Sequence, residues 1–276
     1  MAPDTQPVFW RDPSMKQIEL RYIKDGHNVR YIPHSHEQWS LGAILDGHSS
    51  FLCGDRIHQV SQGDLVIMNA HEVHACNPQS NSPWSYYMLH LDCNWLGQLL
   101  LNSGQSQSSR WKPTQQDIIQ HPEMFEKIVG LCQILMSSVS IPSKSRALQS
   151  TLLELFNFLK STKVAQTNKI PTALSEVAYY LIENSHSEES IEEVAMKFAM
   201  SSGYLTRQFK RYYQLSPHAF RLNRRIQLGQ IALKNGVSII DVASQFGFSD
   251  QAHFQRTFKE RVAATPKQYK VNRSFS

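Results

Sequence analysis

The sequence predicts an α+β protein of two domains: a β-rich N-terminal half that ends in helices, and an all-α C-terminal third. Three features carry this expectation. Residues 18–94 hold short apolar runs separated by turn-forming residues, helical periodicity replaces them near residue 95, and from Thr172 onward every segment reads as helix. At 276 residues the chain is long enough for two cores of ordinary size. Its 41% hydrophobic and 18% charged residues describe a globular protein, not a disordered one.

The N-terminal strands come first. "WSLGAIL", "SSFLC", "LVIMN" and "SYYMLHLD" are predicted strands, divided by "DGHS", "GDR", "SQGD" and "NPQSNSP", all rich in turn formers. Short strands at near-regular spacing suggest a sandwich or a small barrel. Two helical segments follow, "QQDIIQHPEMFEKIVGLCQILMSS" and "SRALQSTLLELFNFLKST", joined by "VSIPSK". In the second, Leu148, Leu152, Leu155, Phe156 and Leu159 form one stripe. That stripe either packs on its own β domain or forms a dimer seam. The polar stretch "TKVAQTNKIP" ends in proline and is the linker candidate. The expected division is a domain over 1–162, a linker over 163–171 and a second domain over 172–276.

The C-terminal helices carry their own punctuation. Ser190, Ser201, Ser216, Ser238, Ser249 and Thr265 sit where N-caps belong, and Pro217 and Pro266 follow at first helical positions. Charge is unevenly spread. Residues 1–168 hold 13 basic and 14 acidic side chains, whereas from Met200 to the end the count is 13 against 3. Such a basic third is the footprint of a phosphate-backbone partner. No run approaches the roughly 18 apolar residues of a membrane span, and no secretory signal is visible, so a cytoplasmic protein without a membrane partner is expected. Cys53, Cys76, Cys93 and Cys132 lack CxxC spacing and read as reduced thiols.

An internal repeat gives the basic third its meaning. Ser190, Ile191, Val194, Ala195 and Phe198 register on Ser238, Ile239, Val242, Ala243 and Phe246 at an offset of 48. One inserted residue makes the offset 49, which pairs Leu205 with Phe254, Phe209 with Phe258, Lys210 with Lys259, Pro217 with Pro266 and Arg224 with Arg273. Each copy reads as a short helix with a small Ala at the crossing, a tight turn, and a basic second helix: a helix-turn-helix. Gly247 suits the second turn because it takes positive φ without strain; Ala199 replaces it in the first. With Phe254 and Phe258 turned inward, Gln251, His253, Gln255 and Arg256 face out. Arg pairs bidentately with guanine and Gln with adenine, which suits a major groove. A connecting helix from Pro217 to Lys234 spans about 27 Å at 1.5 Å per residue, near the 34 Å of one DNA turn.

Over essentially its whole length, and above all in "SIIDVASQFGFSDQAHFQRTFKERVAATPKQYK", the chain resembles the AraC/XylS family of bacterial transcription regulators. The resemblance implies base contacts by Ser202, Gly203, Thr206 and Arg207 in the first copy, with readout at Gly203 either weaker or displaced onto Tyr204. In the second copy it implies Gln251, Ala252, His253, Gln255 and Arg256. It implies phosphate contacts by Lys210, Arg211, Arg224, Arg225, Lys259, Lys267 and Arg273, which position without specifying. Promoter DNA, RNA polymerase, a small-molecule effector and a second copy of the chain are the implied partners, with activation favoured over repression.

"YIPHSHEQWSLGAILDGHSSF" and "QGDLVIMNAHEVHACNP" resemble the two halves of a cupin barrel, so the N-terminal domain is expected to be cupin-like. His34, His36 and His74 fall where a metal-binding cupin places three imidazoles, a set suited to Zn, Fe or Ni. The carboxylate of an enzymatic cupin is missing, since Ser40 and Leu41 stand in its place and Glu37 would face the other side of a strand. No catalytic residue is therefore expected. A polar effector pocket using His34, His36 and His74, lined by Trp39, Trp84 and Tyr86, is the favoured reading. No cofactor is expected, a divalent metal being the one these histidines would admit. The rival functions are a metal-dependent cupin enzyme with a nucleic-acid tether, and a regulator controlled by a protein partner.

Overall fold

The computed structural model describes residues 6–79, 83–160 and 170–270. Its N-terminal domain is built on one long strand. β3 (Trp39–Cys53) runs antiparallel to β7 (Trp84–Leu91) and β5 (Leu65–Met68) along its first part, then to β4 (Arg56–Ser61) and β6 (His74–Pro78) along its second. β1 (Val8–Trp10) and β2 (Ile18–Ile23) extend the sheet beyond β7, and the short β8 (Ile118–Ile119) closes on β5. The "DGHS" turn expected between two strands is instead a bulge inside β3. The register slips between Ile44 and Asp46 and Gly47 takes φ 88°, so the strand bends from one set of partners to the other without reversing.

Three helices cover one side of this sheet. α1 (Cys93–Asn102) starts at Asp92, whose carboxylate accepts the Trp95 N–H, and was not foreseen from the sequence. α2 (Pro122–Met136) starts later than its apolar pattern suggests, because Ile118 and Ile119 pair with Val66 and Leu65 as strand and Pro122 takes the first helical position. α3 (Ile141–Lys160) settles the fate of the apolar stripe. Leu148, Leu152, Leu155 and Phe156 are buried in the same core as Trp39 and Trp111, and Leu159 packs against it. The stripe thus faces its own domain and does not offer a dimer seam. Residues 161–169, which hold most of the expected linker, lie outside the described residues.

The C-terminal domain is α4 (Thr172–Glu183), α5 (Ile191–Lys197), α6 (Ser202–Tyr213), α7 (Pro217–Lys234), α8 (Ile239–Gln245), α9 (Gln251–Val262) and α10 (Pro266–Lys270). Ser190, Ser201, Ser216 and Ser238 cap α5 to α8 as expected, and Thr265 and Gln268 cap α10 reciprocally. α9 begins at Asp250 in place of Ser249; the Asp250 carboxylate accepts the His253 N–H at 2.7 Å. There are two cores. Leu174, Val177, Val194, Ala195, Leu205 and Phe209 fill one, and Val242, Ala243, Phe248, Phe254, Phe258 and Tyr269 fill the other. The repeat reaches the backbone. Ala199 and Gly247 are both left-handed, at φ 53° and 71°, and so are Gln214 and Ala263, both at φ 51°.

Candidate functional site

α6 and α9 are the two basic second helices of the repeat. In α6, Leu205 and Phe209 are fully buried, which leaves Gly203, Tyr204, Arg207, Lys210 and Arg211 exposed, with Ser202 and Thr206 half-buried. In α9, Phe254 and Phe258 play the same part; Gln251, Ala252, Arg256 and Lys259 are exposed and His253 and Gln255 half-buried. Ser249 hydrogen-bonds His253 Nδ1 at 3.1 Å, which orients that ring at the helix start. Lys267 is exposed on α10.

Two expected phosphate contacts have other work. Arg225 donates to the carbonyls of Ser185, Ser187 and Gly247, and so ties the α4–α5 connection to the second turn. Arg224 pairs with Glu37 of the N-terminal domain. Both guanidiniums are engaged within the chain in this structure. Arg273 lies outside the described residues.

Arg224 belongs to a docking surface. Asn223 of α7 exchanges hydrogen bonds with Ser35, and Gln227 donates to the Ser35 carbonyl. Ile32 donates its N–H to the Glu260 carbonyl at the end of α9. Arg21 on β2 donates to the Val262 carbonyl, and Arg11 to that of Tyr269. Glu19 gathers Arg11 at 2.7 Å and Lys234 of α7 at 2.7 Å. Those two cations hold its carboxyl well below the usual range against the opposing effect of burial. Phe9 completes the joint by packing in the core of the second motif, edge-on to Tyr269.

A cavity of about 550 Å³ lies at this joint, within the usual range for small-molecule sites. His34, His36, His74, Trp84 and Tyr86 line it, as expected, together with Arg21, Tyr31, Met88 and His90 from the barrel side and Asn223, Lys234, Arg261 and Tyr269 from the helical side. Gly42 keeps the barrel wall open: a Cβ there would stand 2.7 Å from Val66 Cγ2 and 2.9 Å from Met88 Cε. Trp39 does not line the cavity. It is fully buried in the other core, edge-on to Trp111 and tilted against Phe156, and its indole N–H donates to Thr114 Oγ1. The alternation of β3 turns it to the face opposite the histidines.

The cavity histidines are neutral. Burial holds His34 and His36 well below their ordinary value and takes His74 to about 4 and His90 to about 3. Three of them hydrogen-bond through Nδ1 to backbone carbonyls, at Ile32, Gln38 and Glu72, and Ser40 Oγ lies 2.7 Å from His90 Nδ1. Among the described residues their ring nitrogens do not converge as a metal-binding trio. Among the described residues the donor atoms that come within 4.8 Å of one another belong to Cys53, Glu72 and Asp117. There the Arg56 guanidinium bonds both carboxylates, at 3.0 Å and 2.6 Å, so that set does not fit a cation either.

Sequence reasoning missed Arg21, His90, Arg261 and the whole helical wall. One signal was legible. Glu19 and Arg21 alternate with apolar residues in "IELRYI", which puts two charges on one face of a strand. The pairing of that face with α7 and α9 leaves no local trace.

A ligand-binding barrel joined to two helix-turn-helix motifs defines a DNA-binding transcription regulator with an effector domain. Residues 18–177 match the family described as AraC-like ligand binding domain, and residues 175–272 match a helix-turn-helix domain family. The chain belongs to the AraC family. It is 30% identical over 165 residues to the HTH-type transcriptional regulator MtrA of Neisseria gonorrhoeae, a match spanning 55% of this chain and 54% of MtrA. It is 24% identical over 247 residues to the virulence regulon transcriptional activator VirF of Yersinia enterocolitica, covering 86% of this chain and 91% of VirF. Its fold matches ToxT of Vibrio cholerae, solved with an unsaturated fatty acid bound, with a TM-score of 0.55 at 12% identity over 98% of this chain and 96% of ToxT. Among the described residues no helix is long and apolar enough to cross a membrane.

Proposed function

We propose that the chain is an effector-responsive activator in which the cavity at the joint takes the small molecule and α6 and α9 read two successive major grooves. One observation carries the reading: the cavity is walled by both domains, so any ligand filling it touches both and biases their arrangement. The length of α7 between the two reading helices, 18 residues, suits a spacing of one helical turn of DNA. Ser202, Tyr204, Thr206 and Arg207 in α6, and Gln251, Ala252, His253, Gln255 and Arg256 in α9, are the base-reading residues of this reading, with Lys210, Arg211, Lys259 and Lys267 on phosphates. Activation is favoured by the resemblance to VirF, a transcriptional activator. The family suggests contact with RNA polymerase, a homodimer, work in the cytoplasm and no catalysis of its own. The domain limits follow the gap between α3, which ends at Lys160, and α4, which begins at Thr172.

The test is genome-wide mapping of binding sites in the native host, followed by footprinting of the strongest sites. Two short protected blocks about 10 base pairs apart are expected. A single block at every site would rule out simultaneous reading by both motifs.

A further inference from the structure

The start of α9 carries a hydrogen-bonded chain that the first reading helix lacks. Asp250, the N-cap, uses both carboxylate oxygens: Oδ1 accepts the His253 N–H at 2.7 Å and Oδ2 lies 3.4 Å from the Ser249 hydroxyl. Ser249 Oγ lies in turn 3.1 Å from His253 Nδ1. Phe248 holds the ring on another side, edge-on at 5.4 Å, and is itself buried against Phe254. His253 is half-exposed, and its Nε2 has no hydrogen-bond partner among the described residues. In α6 the cap is simpler. Ser201 accepts the Tyr204 N–H at 3.2 Å, and Met200 and Tyr204 stand where the second copy has Ser249 and His253. A helix start of this kind therefore holds without the extra hydroxyl, and the Ser249–His253 bond is no requirement of the cap.

Counting hydrogens along the chain fixes its direction. The His253 amide, first of all, holds the Asp250 carboxyl below its ordinary value, so the group is ionised and has only acceptor capacity. The bond between Ser249 and Asp250 is then donated by the hydroxyl. A serine hydroxyl has one hydrogen. Having given it to Asp250, Ser249 can only accept from His253, so Nδ1 carries the ring hydrogen. In a neutral imidazole the other nitrogen is then an acceptor. Nε2 is left with a lone pair and no protein donor to fill it.

Granted that His253 reads a base, on which the rest depends, we infer that Ser249 and Asp250 fix the tautomer of His253 and with it the choice of base: Nε2 accepts from the exocyclic amino group of an adenine or a cytosine. In the major groove these two bases offer their N6 and N4 amino donors, whereas guanine and thymine offer the O6 and O4 acceptors. The opposite tautomer would carry its hydrogen on Nε2 and prefer guanine or thymine. One operator position is therefore read, on one strand, as amino against keto. In this role Ser249 is a positioning residue that acts through the ring.

The test uses the full chain on the operator that footprinting delivers, with each position of the block under α9 changed through all four bases. One position should favour adenine or cytosine over guanine and thymine by about fivefold, the worth of one net hydrogen bond. His253→Ala should abolish that preference there and nowhere else. Replacing the favoured base by an analogue without the amino group, purine for adenine or a pyrimidinone for cytosine, should cost the same factor and tells which of the two is read. Ser249→Ala should remove the amino preference, and Ser249→Thr, which keeps the hydroxyl, should restore it. A keto preference that disappears in His253→Ala would reverse the chain and overturn the inference, as would an amino preference that survives Ser249→Ala. If His253→Ala changes no position while both blocks stay protected, the base-reading role of His253 fails instead. Where a variant loses DNA binding altogether, NMR of the ring nitrogens reads the tautomer without DNA. It is taken on the full chain at about pH 8, where imidazoles are neutral, and assigned by the signal missing in His253→Gln. A hydrogen on Nδ1 that moves toward Nε2 in Ser249→Ala supports the inference. A hydrogen on Nε2 in the native chain, or one that Ser249→Ala leaves in place, overturns it.

Discussion

Arg256 and Lys259 stand three residues apart on α9 and carry the same charge, yet the proposed reading gives them different work. Arg256 lies on the N-terminal half, beside Gln251 and Gln255, where in the proposed reading its planar fork contacts a base edge. Arg256→Ala should cost about 1–3 kcal/mol of operator binding and relax specificity at one base pair. Lys259→Ala should weaken binding to every sequence and lower the salt dependence by about one unit. Binding isotherms at several salt concentrations on operator and scrambled DNA separate the two, and identical behaviour would refute the division of roles. Trp39 shows the opposite case, a residue whose chemistry suggests a ligand and whose position forbids one. Trp39→Ala should cost about 3–5 kcal/mol of stability through the cavity it leaves and should not alter effector binding at the joint. The cavity histidines add a pH dependence. Their folded pKa values lie below the ordinary 6.5, so the unfolded chain binds more protons. Stability is therefore full above pH 6.5 and falls on acidification, until pH reaches about 4 for His74 and about 3 for His90. Each such histidine contributes about 1.4 kcal/mol per pH unit within its window. Urea midpoints at pH 7 and pH 5 should differ in that direction, and His74→Gln should reduce the difference.

At the scale of the element, the two helix-turn-helix copies differ most at their first turn. Ala199 holds the left-handed conformation that Gly247 holds in its counterpart. A Cβ in that region costs about 1–2 kcal/mol, and glycine's extra freedom in the unfolded chain returns about 0.5–1. Ala199→Gly should therefore stabilise the domain by about 0.5–1 kcal/mol. Gly247→Ala should destabilise it by more, because its Cβ would also stand 3.1 Å from the His186 carbonyl and 3.2 Å from Arg225 Cζ. Chemical unfolding of the pair gives both signs, and equal losses would mean that the turns are not equivalent. The repeat was legible because capping, small-residue and aromatic positions recur in order along the chain. Local signals served less well where a segment had partners on two sides. The Gly47 region has the composition of a turn, but pairing on both flanks of β3 keeps it extended. Of the site, His34, His36 and His74 could be named from the two cupin-like motifs, and Trp84 and Tyr86 from the aromatic stretch that follows them, whereas His90 could not. The arginines could not, because their meaning depends on a partner far along the chain: Arg21 meets Val262 across 241 residues.

For the whole molecule the question is whether the two domains behave as one. The joint is held by the bonds Asn223 donates to Ser35, by those Arg11 and Arg21 donate to carbonyls of the helical domain, by Phe9 packing on Tyr269 and by the ions around Glu19. Glu19 is its centre. It is 6% exposed, and Glu19→Gln would leave Arg11 and Lys234 facing each other without the charge that balances them. Removing one member of a buried ion group costs about 3–5 kcal/mol, enough to release a joint of this kind. The sequence supplies separate probes for the two halves. All five tryptophans, Trp10, Trp39, Trp84, Trp95 and Trp111, lie in the N-terminal domain, whereas most of the helix lies in the C-terminal one. In the native chain, urea unfolding followed by tryptophan fluorescence and by helical circular dichroism should give coincident curves, because docking couples the domains. In the Glu19→Gln chain the helical signal should fall first and the curves should separate. Restoring the charge with Glu19→Asp should bring them back together in part. Curves that stay coincident in the Gln variant would place the coupling elsewhere, on the Asn223–Ser35 contact or the Phe9–Tyr269 packing. The Glu19 cluster would then be a local ion group and not what joins sensing to reading.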